Sequence, residues 1–308
     1  MRQIVVISGK GGTGKTSVTA ALAAVAREDA APKDAACKGE TPPPALVLAD
    51  CDVDASDLHL LLAPVVRERH DFHSGVLARI DAALCTRCGA CTAACRYGAL
   101  NLPPQVAREM CEGCGACAHV CPEGAVALDE RHCGEWYVSD TRFGPMVHAA
   151  LGIGEENSGK LVSTVRTRAR EIAEALGADT VLIDGSPGVG CPVIASLAGA
   201  DTALLVTEPT VSALHDLERV HALTRHFGVH ASVLLNKADI HVGMARQIEA
   251  FCADHGLPML GSMPHSPVFM AAQFAGLSVP EFAPHAEGAL FREVWRRLQA
   301  MTVTSAEA

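Results

Sequence analysis

Eight cysteines in mid-chain fall into two runs of one spacing. They are Cys85-x2-Cys88-x2-Cys91-x3-Cys95 and Cys111-x2-Cys114-x2-Cys117-x3-Cys121-Pro122. Thiolates are soft ligands for iron, and two-residue spacers let one loop wrap three corners of a cube. The doubled pattern is that of two [4Fe–4S] clusters, in which the fourth cysteine of each run ligates the other cluster. One cluster then takes Cys85, Cys88, Cys91 and Cys121, and the other takes Cys111, Cys114, Cys117 and Cys95. Paired C-x2-C also binds zinc. Four cysteines at 2-2-3 spacing, twice over, favour iron. Arg96 stands where the pattern carries the proline seen at Pro122, a departure that removes no ligand.

A second constellation opens the chain: Gly9-Lys10-Gly11-Gly12-Thr13-Gly14-Lys15-Thr16. Glycines at these positions let backbone N–H groups approach phosphates, and the following helix adds its positive end. Lys15 is expected on the β- and γ-phosphates and Thr16 on Mg²⁺. The competing reading is a turn that binds nothing. The complete eight-residue pattern, between a strand and a helix, outweighs it.

These residues need elements to hold them. Strand patterns cover Gln3–Ile7, Ala45–Ala49, Thr180–Ile183, Ala203–Thr207, Ala231–Leu235 and Pro258–Met263. Helical patterns cover 160–176, 212–226, 243–255 and 286–300, and 58–80 reads as mixed and helical. Short apolar strands alternating with amphipathic helices predict an α/β fold with a mostly parallel sheet covered on both faces. The cysteine runs interrupt it. The expected organisation is a discontinuous P-loop domain over 1–81 and 131–301, an inserted small α+β module over 82–130, and a loose tail at 302–308. Ala99–Leu102 and Ala125–Leu128 suit the small strands of the insert. The polar, Pro-rich stretch 28–44 reads as a surface excursion.

Composition narrows the classes. With 308 residues, 49% of them hydrophobic, the chain can bury one large domain and one small one. No apolar run reaches membrane-spanning length, and no signal-peptide pattern precedes the first strand. A net charge of −10 disfavours nonspecific nucleic-acid binding. Free thiolates for clusters imply a reducing cytoplasm rather than a disulfide scaffold.

With its lysine at position 10, the opening motif resembles the deviant Walker motif of the MinD/ParA/nitrogenase-iron-protein class of P-loop ATPases (the SIMIBI group). The resemblance implies that Lys10 reaches across a dimer to the partner's nucleotide. Asp50-Cys51-Asp52-Val53-Asp54 resembles the first switch, where acidic residues assist Mg²⁺ and orient water; Asp50 and Asp52 are both candidates. Asp54 and Asp57 could equally be N-caps. Val181-Leu182-Ile183-Asp184-Gly185-Ser186-Pro187-Gly188 resembles the Walker B strand and second switch, implying Asp184 in the Mg²⁺ shell and the Gly188 amide at the γ-phosphate. Asn236-Lys237-Ala238-Asp239 looks like a guanine-reading motif, but in this class an asparagine there reads adenine, which implies ATP. Met263-Pro264-His265 resembles the adenine-side loop. The insert is similar to a bacterial-type ferredoxin domain. The last helix carries Leu290, Phe291, Val294, Trp295 and Leu298 on one side; MinD proteins dock on membranes through such a helix, but an apolar stripe at this spacing is more often core.

The implied protein binds and hydrolyses ATP, as a homodimer or a heterodimer with a related ATPase. Switch changes would be coupled to electron transfer through two clusters, toward a redox or apoprotein partner. A cluster or metal carrier is one alternative, and a spatial-organisation ATPase with structural or sensing clusters is another. Cys51 and Cys191 flank the switches and could serve a third, intersubunit cluster; small buried residues are the preferred reading. Cys37, Cys133 and Cys252 have no ligating spacing, and Glu155–Lys160 reads as an ordinary helix start.

Overall fold

A computed structural model describes residues 1–30, 46–54, 56–101, 103, 105–152, 154, 155 and 158–301. Cys37, the excursion from residue 31 onward, Glu156, Asn157 and the 302–308 tail lie outside the described residues. In chain order the elements begin with β1 (Arg2–Ser8), α1 (Lys15–Asp29), β2 (Leu46–Asp50), α2 (Leu58–Leu62) and β3 (Val65–Ile80). There follow α3 (Ala90–Ala94), β4 (Leu100–Asn101), β5 (Gln105–Val106), α4 (Ala116–His119), β6 (Val126–Thr141) and β7 (Gly144–Leu151). Next come α5 (Ser158–Leu176), β8 (Thr180–Pro187), α6 (Cys191–Leu197), β9 (Thr202–Thr207), α7 (Val211–His226) and β10 (His230–Leu235). The chain closes with α8 (Val242–Asp254), β11 (Met259–Ser262), α9 (Val268–Phe274), α10 (Val279–Phe282) and α11 (Glu287–Met301).

Two compact units divide the chain. The first comprises Met1–Arg69, Trp136–Ala150 and Ser158–Ala308; the second comprises His70–Glu135 and Leu151–Asn157. In the first unit the strand order is β11-β10-β9-β1-β8-β2-β7, continued by β6 and β3. Neighbours from β11 to β7 are parallel. Every residue of β2 and β9 is buried, as is the apolar run Ile4–Ile7 of β1. Such near-continuous apolar strands belong to a parallel sheet with both faces covered. Because the strands run parallel, their carboxyl ends share one edge, and every sequence motif of the P-loop class follows one of those ends.

The sheet is covered on one face by α1 and α11. Phe291, Val294, Trp295 and Leu298 are buried with Ile4, Leu22, Leu48 and Leu182 in one core. Four of the five residues of the last helix's apolar stripe are therefore committed to the core, and Leu290 is exposed. Among the described residues, no helix is long and apolar enough to cross a membrane.

The structure corrects the reading of residues 58–80 as mixed and helical. Only Leu58–Leu62 is helix; Val65–Ile80 is one 16-residue strand. Buried Phe72, Ser74 and Ala78 alternate with exposed Asp71, His73 and Arg79, the period of a strand. The second short strand expected at Ala125–Leu128 is the beginning of a strand that continues to Thr141.

In the second unit, β4 and β5 pair antiparallel. Short α3 and α4 each follow a left-handed glycine, Gly89 (φ 81°) and Gly115 (φ 77°). Ala78, Leu100, Cys111, Cys117 and Val126 are buried together in a small core. At Gly113 a side chain is excluded twice over: φ is 63°, and a Cβ would lie 2.3 Å from the Val76 carbonyl oxygen.

Candidate functional site

The P-loop positions Lys15 at the start of α1, 6% exposed. Its Nζ donates to Asp184 Oδ1 at 2.8 Å and lies 3.3 Å from Asp52 Oδ2. Thr19 Oγ1 donates to the same Asp184 oxygen at 3.0 Å. Burial alone would push the lysine's pKa down, but Asp184, Asp52 and Asp50 together hold it above its ordinary value. The other Asp184 oxygen, Oδ2, is buried with no hydrogen-bond partner. A buried carboxylate oxygen left in this way suits a cation, so the residues fit Mg²⁺; Asp184 touches the phosphate pocket through Lys15, which lines it together with Thr16.

The structure separates the two first-switch candidates. Asp52 lines the pocket with Lys15 and Thr16. Asp50 lies behind it, fully buried, accepting from Ser56 Oγ at 2.7 Å and from the Asp52 N–H at 3.2 Å. Burial and then the charge of Asp184 push Asp50 up to about 7. Asp57 occupies the N-cap position of α2 without a side-chain cap bond.

Lys10 is tied down within its own chain. Its Nζ lies 2.7 Å from Glu208 Oε1 and donates to Thr210 Oγ1 at 3.1 Å. Glu208 also meets Lys237 Nζ at 2.9 Å, and that ammonium donates to the Gly12 carbonyl at 2.9 Å. Burial works against the Glu208 charge, yet hydrogen bonds from the two lysines hold its carboxyl below the usual range. Glu208 belongs to no motif read from the sequence. The signal that could have found it is its place directly after β9, on the edge where the other motifs gather.

Asn236 is 4% exposed, lines the pocket and clamps the P-loop. Its Nδ2 donates to the Thr13 carbonyl at 2.9 Å, while Oδ1 accepts from the Lys237 N–H at 2.9 Å. Gly14 makes this contact possible: its φ is 92°, and a Cβ there would sit 2.6 Å from Asn236 Nδ2. The Gly188 amide donates to the Ser8 carbonyl at 2.8 Å. Pro264 leads into His265, Ser266 and Pro267 on the pocket wall, which continues along α9 to Phe274. That α9 wall was missed in the sequence, where a seven-residue helix leaves little periodicity to read.

In the second unit the cysteines sort into two cavities. One is lined by Cys85, Cys88, Cys91 and Cys121, the other by Cys95, Cys111, Cys114 and Cys117. The fourth cysteine of each run thus crosses to the other quartet, as the spacing predicts. The Ala125 N–H donates to Cys121 Sγ at 3.3 Å. Donor chemistry and grouping both fit iron–sulfur clusters. A different grouping on the same unit, Asp71, His132 and Glu135, has ligand-capable atoms within 4.8 Å of one another. Asp71 and His132 are exposed and form a cross-strand pair at 3.5 Å, and Glu135 is half-buried.

The remaining cysteines divide. Cys51 is fully buried, and burial pushes its thiol far up, so it is an inert apolar residue. Cys252 is also buried, its thiol pushed up to about 11. Cys133 donates to the Ser74 carbonyl at 3.1 Å. Cys191 departs from the small-buried reading: it is exposed, because it is the first residue of α6.

Comparison with known proteins gives three findings. Residues 84–125 match the family described as 4Fe-4S dicluster domain. An uncharacterized protein of Methanocaldococcus jannaschii, MJ0578, is 33% identical over 243 residues, spanning 76% of this chain and 78% of that protein. The fold is that of the MinD/ParA ATPases. The cell division ATPase MinD of Pyrococcus furiosus superposes with a TM-score of 0.57 at 18% identity, over 97% of this chain and 99% of that one. MinD of Pyrococcus horikoshii, solved with Mg-ADP, gives 0.56 at 18% identity over 96% and 95%.

Proposed function

Since this chain belongs to the family of the M. jannaschii protein MJ0578, with a MinD-like fold and a 4Fe-4S dicluster domain, we propose that it is an ATPase whose nucleotide cycle is coupled to electron transfer. The carrying observation is the partition of eight cysteines into two crossed quartets, on a chain whose other unit folds a P-loop around a buried lysine.

In this reading the Gly9–Thr16 loop cradles the phosphates of ATP, and Lys15 exchanges its carboxylate partners for phosphate oxygens. Thr16 and Asp184 would hold Mg²⁺, which supplies charge neutralisation at the phosphates. Asp52, on the pocket wall, orients the attacking water; Asp50 supports it from behind through the Asp52 N–H. Asn236 and the segment after Pro264 border the base. Gly188 would reach the γ-phosphate only by giving up its bond to Ser8. The two cysteine quartets would hold the clusters, which supply one-electron transfer when bound. The chain reaches the cysteine module soon after the first switch, so the switch and the module share a continuous polypeptide.

Lys10 is suited to act in trans. Its partner Glu208 is only 14% exposed, and a carboxylate so buried is costly to leave unpaired. Lys237 remains on Glu208 when Lys10 departs, so the loop lysine can leave for a second subunit without stranding a charge. The reading implies a homodimer, or a heterodimer with a related ATPase, and free thiolates for the clusters imply a reducing, cytoplasmic setting.

Anaerobic purification, iron and sulfide analysis, and EPR of the reduced protein with and without ATP test the whole reading. Lys15→Ala is expected to abolish turnover and any nucleotide-dependent change in the cluster signals. Signals that ignore ATP in the wild-type protein would remove the coupling. Transfer of iron and sulfide to an apoprotein would replace electron transfer with cluster delivery.

A further inference from the structure

Beside the second cysteine quartet lies a set of charges that the proposed cycle does not use. Arg131, on β6, is 15% exposed at its side chain. Its Nη1 donates to the Cys111 carbonyl at 3.0 Å, and its Nε lies 2.6 Å from Glu155 Oε2. Glu155 is 9% exposed, and its other oxygen meets Arg108 Nη2 at 3.3 Å. Arg108 also donates to the His132 carbonyl. All of these residues belong to the second unit.

Arg131 and Glu155 form a one-to-one pair at low exposure, and the guanidinium of that pair is the member fixed to the main chain of a ligand cysteine, through the Cys111 carbonyl. The second guanidinium, Arg108, is 43% exposed at its side chain and is screened by water, as are the exposed Glu109 and Glu112, the latter on the wall of the same cavity. The cation of the buried pair thus lies on the cluster side, against the ligand cysteine's backbone, and its carboxylate reaches the quartet only through it. One-electron reduction adds negative charge to a cluster, so a fixed cation nearby stabilises the reduced form over the oxidised one. The contact is to Cys111, which lines the cavity of one quartet only.

Resting on the iron–sulfur reading above, we propose that Arg131, held in place by Glu155, is a positioning residue that raises the reduction potential of the cluster on Cys95, Cys111, Cys114 and Cys117. Glu155 sets the size of the effect by neutralising part of the charge and by holding the guanidinium against the Cys111 carbonyl.

The test is an anaerobic EPR redox titration of the full-length, iron-loaded protein, with dithionite as electron donor through mediators. In Arg131→Gln the ratio of reduced to oxidised cluster at a fixed potential should fall roughly tenfold in one of the two signals, or about 59 mV for a one-electron couple. Arg131→Lys keeps the charge and should restore most of that ratio. Glu155→Gln removes the opposing charge and should move the same signal the other way. Should Arg131→Gln fail to load iron, Arg131→Lys and Glu155→Gln carry the test by themselves. Unchanged midpoints in Arg131→Gln and Glu155→Gln, or shifts of one sign in both, with iron and sulfide at wild-type levels, would overturn the inference and leave the iron–sulfur reading intact. A wild-type protein without iron and sulfide would instead overturn that reading and the inference with it.

Discussion

His148 offers a sharp test of the packing of the first unit. It sits on β7, 8% exposed. Its Nε2 is 2.9 Å from Ser139 Oγ, its ring stacks on Tyr137 at 5.0 Å, and His59 stacks 6.3 Å away. Burial, and then the neighbouring His59, lower its pKa from 6.5 to about 4. The folded protein therefore refuses a proton that the unfolded chain accepts. This contribution to stability is whole above pH 6.5 and is lost as pH falls toward 4. A depression of this size is worth about 3 kcal/mol in full, and about 2 kcal/mol of that is gone by pH 5. The perturbation is His148→Gln, which keeps a polar partner for Ser139 and cannot titrate. The assay is anaerobic urea unfolding at pH 7.5 and pH 5.0. Fluorescence suits it, because the chain's two tryptophans, Trp136 and Trp295, both belong to this unit. Other groups titrate in both proteins, so the quantity of interest is the difference between them. Wild type should lose about 2 kcal/mol more than His148→Gln over this interval. Parallel losses would refute the reasoning, because they would mean that the ring is protonated as readily in the folded state as in the unfolded chain.

Two further substitutions test other parts of the structure. Arg166 is buried on α5, donating to the carbonyls of Ala195 and Ala198 and, at 2.8 Å, to Gln3 Oε1. Arg166→Ala leaves these acceptors unsatisfied and should cost about 3 kcal/mol by urea unfolding, whereas Arg168→Ala, whose ion pairs are more exposed, should cost under ~1 kcal/mol. Gly113→Ala forces a Cβ toward the Val76 carbonyl and should reduce the iron bound per chain, with the EPR signal of the Cys111 quartet lost first; unchanged iron would show that the loop yields.

What could be read from the sequence depended on how local the information was. The cysteine spacing works within single loops, where two-residue spacers dictate which side chains can converge, so the crossed quartets were legible. The P-loop was legible for the same reason. Val65–Ile80 was not, because its outward face carries Arg67, Arg69, Asp71 and His73, and its inward face includes the small residues Ser74 and Ala78. Without strong apolar alternation, the period of two is weak beside the charge pattern. The β6–β7 segment and the short helices α9 and α10 were missed because their burial depends on neighbours distant in sequence.

Glu208 shows the same limit in the site itself. Nothing adjacent marks it as different from any acidic residue after a strand. Its role follows only when the parallel sheet brings the ends of β1, β9 and β10 to one edge, placing Lys10, Glu208 and Lys237 in contact. The motif lysine is thus recognisable locally, but its restraint is a property of the assembled sheet. Two lysines sharing one carboxylate allow either to be withdrawn while the other keeps the charge paired. In the proposed action of Lys10 on a second subunit, that arrangement lets the lysine leave with Glu208 still paired, and a single lysine–glutamate pair would not provide it.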